Sequence, residues 1–151
     1  MRGSVAAAKP FGMLLTDQLQ ILNFRFQMTD HSKLLPKLLE KMFPVVEDRA
    51  LVVDIMGRYG HEGFHREAER VKMAILKLAG KSPERIRYYT LMACRDYRDV
   101  LSAAEYPNQV GKYFLKEKDP ARYGEIVERD KKQYQDWYLG VLWNGEMSRD
   151  S

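Results

Sequence analysis

The 151-residue chain holds one cysteine, Cys94, so no internal disulfide can staple it and its core has to come from burial alone. It has only three histidines, two tryptophans and six prolines. No apolar run approaches the roughly 18 residues a membrane-crossing helix needs, so no membrane partner is expected. There is no block of one charge sign either. The 25 Lys and Arg side chains are interleaved with 21 Asp and Glu, as in Lys116-Glu117-Lys118-Asp119 and Glu128-Arg129-Asp130-Lys131-Lys132. Nucleic-acid binding usually leaves a concentrated basic stripe, and none is visible here. At the start, Arg2 and Val5-Ala6-Ala7-Ala8 begin like a secretion signal. Lys9 and Pro10 interrupt it before a 7–15-residue apolar region can form, and the expected compartment is the cytoplasm. No internal repeat or low-complexity tract occurs.

What is present is core material: 45% of residues are hydrophobic and 30% charged, the balance of a globular protein. A chain of this length buries roughly 68–70% of the surface its unfolded form exposes.

The apolar spacing is helical. Leu15, Leu19, Leu22 and Phe26 fall at spacings of four, three and four after the cap residues Thr16 and Asp17. Ile21, Phe24 and Met28 widen that face. Leu35, Leu38, Leu39 and Met42 predict a second helix that stops before Pro44, with Pro36 in its first turn. Val45 to Tyr59 reads as a third, although the β-branched Leu51-Val52-Val53 stretch makes a short strand the competing reading. From His61 onward, Phe64, Ala68, Val71, Ile75 and Leu78 predict a helix ending at Gly80. Ser82-Pro83-Glu84 then supplies a cap, a first-turn proline and an acid where the helix dipole favours one. The stripe that follows is Ile86, Tyr89, Ala93, Tyr97, Val100 and Ala104. Tyr106 to Lys118 reads as a connection, and Asp119-Pro120 starts a last helix on Tyr123, Val127, Asp130, Tyr134, Trp137 or Tyr138, and Val141. The expected fold is all-α: a single-domain bundle of five to six helices, packed antiparallel in an up-down manner over residues 12–143. Residues 1–11 and 144–151 are expected to be flexible termini.

One stretch carries recognisable chemistry. His61-Glu62-Gly63-Phe64-His65 fits H-E-x-x-H, in which two imidazoles one helical turn apart share a zinc ion and the glutamate acts as base for a metal-bound water. The five residues resemble the zincin metalloproteases. His61 and His65 are therefore the candidate metal ligands, zinc the candidate cofactor and Glu62 the candidate base of a metal-dependent hydrolase. Against this, a catalytic zinc wants a third ligand, only His31 remains among the histidines, and Gly60 and Gly63 flank and interrupt the motif. The same residues match the E-x-x-H of di-iron bundles, but no second copy exists.

Three other features stand out. Cys94 has Arg95 and Arg98 nearby, yet reads as a small, partly buried thiol. Arg95 and Asp99 are spaced to pair on an exposed face. Asp130 interrupts an apolar seam, so it needs a tyrosine hydroxyl or an arginine from another helix if it is buried. With so little sign of a reaction centre, the function expected from sequence is association, with a second copy or a protein partner, and not catalysis. A nucleic-acid-binding helical module is the second alternative.

Overall fold

A computed structural model of the chain describes residues 30–150, with side chains through Trp143. The chain divides into compact units between residues 34 and 35, and the second, residues 35–151, holds all but the first turn of the described helices. The helix expected over Leu15 to Met28, and the tail before it, lie outside the described residues.

The architecture is all-α, with no strand among the described residues. Six helices follow in order: α1 His31–Met42, α2 Val46–Met56, α3 Ala68–Ala79, α4 Pro83–Glu105, α5 Leu115–Lys118 and α6 Pro120–Asp150. α1 begins earlier than its apolar spacing suggests and keeps Pro36 inside it, exposed. Over Val46–Met56 the helix wins against the strand, burying Val52, Ile55 and Met56 on one side.

The hairpin of α3 and α4 is the packing centre, and α2 and α6 also lie against α4. Its turn is chemically specified. Gly80 closes α3 at φ 66°, in the left-handed region that glycine adopts without strain, while its N–H donates to the Leu76 carbonyl. Ser82 caps α4 by accepting the Arg85 N–H, Pro83 takes the first helical position, and the Arg85 guanidinium donates to the Leu78 carbonyl. Val71, Met73, Ala74, Ile75 and Leu76 of α3 and Ile86, Thr90, Ala93, Val100, Leu101 and Ala104 of α4 fill the core. Thr90 sits there because its hydroxyl donates back to the Ile86 carbonyl.

Polar groups hold the far end together. Arg70 of α3 makes a two-pronged pair with Glu105 at the end of α4, and its third arm reaches Glu67. Gln133 of α6 donates to the carbonyls of Ala104 and Glu105. Asp130 is fully buried, and its partners differ from those expected. Its carboxylate accepts the backbone N–H groups of Asn108 and Gln109 and the Asn108 side-chain amide, at 2.8–3.1 Å. An acid on an apolar helix face thus organises the turn that follows α4, supplying acceptors to donors that would otherwise be buried unpaired. In the same connection only Leu115 is covered; Tyr113 and Phe114 stay exposed.

Candidate functional site

The segment between α2 and α3 is where the sequence places its motif, and it is not helical. α3 begins at Ala68, so the helix expected from His61 starts seven residues later. Its expected core residue Phe64 is instead 65% exposed. The cause is local. Gly60 takes φ 113°, and Glu67, the residue before α3, is itself left-handed at φ 49°. Between them, His65 Nδ1 accepts the N–H groups of Gly60 (2.9 Å) and Glu62 (3.3 Å). The imidazole stacks on Tyr59 with ring centroids 4.4 Å apart, and the Tyr59 hydroxyl donates to the Arg66 carbonyl at 2.8 Å. The side chains of residues 59 and 65 thereby take up backbone groups that a helix would have paired internally.

This arrangement bears directly on the metal motif. His61 and Glu62 are exposed, and the two histidines do not share a helical turn. An imidazole whose Nδ1 accepts two N–H groups carries its proton on Nε2, so His65 offers a donor at its outer edge. Among the described residues, no group of three His, Cys, Asp or Glu side chains is placed to hold a metal ion.

What His65 does join is a cavity of about 400 Å³. Its walls come from two places: Phe64, His65 and Arg66 of the loop, and residues Ala93 to Arg98 of α4. α4 is bent there. Asp96 leaves helical geometry at φ −158°, ψ 100°, and caps the restarted helix by accepting the Arg98 N–H at 3.1 Å. Its carboxylate also takes both prongs of the Arg98 guanidinium, at 2.9 and 3.0 Å, which holds the Asp96 carboxyl below its usual range. The pairing of Arg95 with Asp99 expected from their spacing is replaced by this one, because the bend removes the regular helical register on which it relied. Arg66 and Arg95 take part in no ion pair among the described residues. Cys94, half-buried in the same wall, has its thiol pushed up by burial, with the Arg58 carbonyl 3.9 Å away. A raised thiol is a poor nucleophile.

A second feature lies on α2. Flanking the buried side, Val46, Ala50 and Val53 follow one another at spacings of four and three, all exposed, with Val45 beside them. The helix is thus apolar on two sides, only one of which the described residues cover. Glu47 and Asp48 stand at its N-terminal end and Arg58 just beyond its C-terminal end, exposed as well.

No transmembrane candidate exists among the described helices. Compared with protein-family models, curated proteins and solved structures, the chain matches none.

Proposed function

We propose that the protein works by association and that its partner is a second copy of the same chain, docked through the outer face of α2. The observation that carries this reading is the uncovered stripe Val46, Ala50, Val53, with Val46 at 62% and Val53 at 48% exposure. Apolar side chains repeating at helical spacing are what one helix offers another. In an antiparallel pairing about a twofold axis beside Ala50, Val46 of each copy meets Val53 of the other, so the stripe is complementary to itself. Ala50, near the middle of the stripe, lets the two backbones approach closely. The apolar stripe supplies the affinity, while exposed charges on the helix contribute little energy.

Sedimentation analysis tests this. The expected result is a concentration-dependent dimer with a Kd of order 10–100 µM. Val53→Glu is expected to give a monomer whose Tm stays within about 2 °C of the parent, since the residue 53 side chain is about half exposed. A strict monomer at several hundred micromolar, or a Val53→Glu protein that still dimerises, would falsify the reading.

A further inference from the structure

We propose that the cavity at the bend of α4 binds the phosphate group of a small phosphorylated metabolite. Three arginines line it, Arg66, Arg95 and Arg98, against one acidic residue, Asp96. Asp96 is already engaged by Arg98, which leaves Arg66 and Arg95 without an acidic partner at the same opening. Two arginines without an ion pair among the described residues, one on the loop and one on α4, line the same cavity, and the planar fork of arginine suits a phosphate oxygen pair. The positions are held in place. The loop is fastened at the Arg66 carbonyl by Tyr59 and at His65 by stacking on the same ring, so Arg66 is presented from a fixed backbone. His65 adds an N–H donor from its Nε2 edge.

The ligand is a small molecule and not a polyanion, because opposite charges are interleaved along the chain and form no continuous basic stripe. About 400 Å³ exceeds the needs of phosphate alone. Phe64 and Tyr97 give the remaining space aromatic walls, and Phe64 stays largely exposed. A flat organic group esterified to the phosphate fits that division of the site. This site is separate from the α2 face and stands or falls independently of dimer formation.

Isothermal titration of the full chain with inorganic phosphate, and in parallel with adenosine monophosphate as a flat-ringed probe, decides the matter. Saturable binding at one site per chain is expected, with a Kd of order 0.1–1 mM and weakening as salt rises. An Arg66→Ala, Arg95→Ala double variant is expected to lose about tenfold or more in affinity. Asp96→Asn is expected to bind phosphate severalfold more tightly, since asparagine still caps the Arg98 N–H but releases its guanidinium. Tighter binding of the monophosphate than of phosphate supports the aromatic walls as the seat of the organic group. Equal binding of the two probes overturns the assignment of an organic group to those walls. The proposal is overturned if neither probe saturates by about 10 mM. It is equally overturned if the double variant binds like the parent, or if Asp96→Asn gains nothing.

Discussion

Asp130 shows how one side chain can decide a connection. Its two oxygens are the acceptors for three donors from Asn108 and Gln109, in a place from which water is excluded. Asp130→Asn converts one oxygen into a donor that faces another donor. The expected cost is about 1–3 kcal/mol, read as a lowered Tm and midpoint of urea unfolding. The sequence marks this residue by its interruption of an apolar seam, which is a reliable sign that a partner must exist. It does not name the partner, because Asn108 and Gln109 contribute mainly backbone groups, and every residue carries those. The same limit applies to the cavity at α4: Arg66 and Arg95 are 29 positions apart, and only folding brings them to one opening. Asp96 did carry a local sign. An aspartate followed three residues later by Asp99 is the start of a capped helix, set inside a stripe otherwise read as continuous.

At the scale of elements, the boundaries written in glycine, proline and cap residues are the ones legible in advance. Gly80, Ser82-Pro83 and Asp119-Pro120 each fix a local dihedral or satisfy a local N–H, so their meaning survives without the rest of the fold. Two glycine substitutions of opposite sign test that logic. Gly80→Ala meets no atom within 4 Å but holds φ 66°, so a loss of roughly 1–2 kcal/mol is expected from backbone strain alone. Gly124→Ala, within α6 and equally unobstructed, is expected to gain roughly 0.5–1 kcal/mol. Chemical denaturation of both variants measures the contrast. The start of α3 was misread for the complementary reason. Phe64 falls on the spacing of the α3 stripe, yet His65 and Tyr59 take the backbone groups of residues 60, 62 and 66. A stacked ring pair six residues apart outweighs a periodicity that is only statistical.

Across the whole molecule, stability should respond to alkali in a particular way. Tyr59 and Tyr134 are buried phenols whose pKa values lie above the usual 10.0, in both cases chiefly through burial. The hydroxyl of Tyr134 has no hydrogen-bond partner among the described residues. A phenol raised in the folded state contributes fully below pH 10.0 and loses its contribution as pH climbs toward the folded value, because the unfolded chain gives up the proton first. Thermal stability is therefore expected to fall as pH rises above about 10, with the phenolate absorbance of these two residues appearing only as the fold opens. Tyr134→Phe is expected to flatten that fall. The all-helical class and the hairpin at its centre follow from apolar spacing summed over many residues, which is why they were visible from sequence. The outer stripe of α2 was not, since a helix apolar on two sides looks from sequence like one that is merely hydrophobic. Finally, the acceptors for the turn at residues 108 and 109 lie up to 22 positions downstream. During synthesis at roughly 5–20 residues per second, that turn emerges about 1–4 s before the carboxylate that completes it. Until then the growing chain carries a finished α3–α4 hairpin with an open end, and the last helix closes it by arriving.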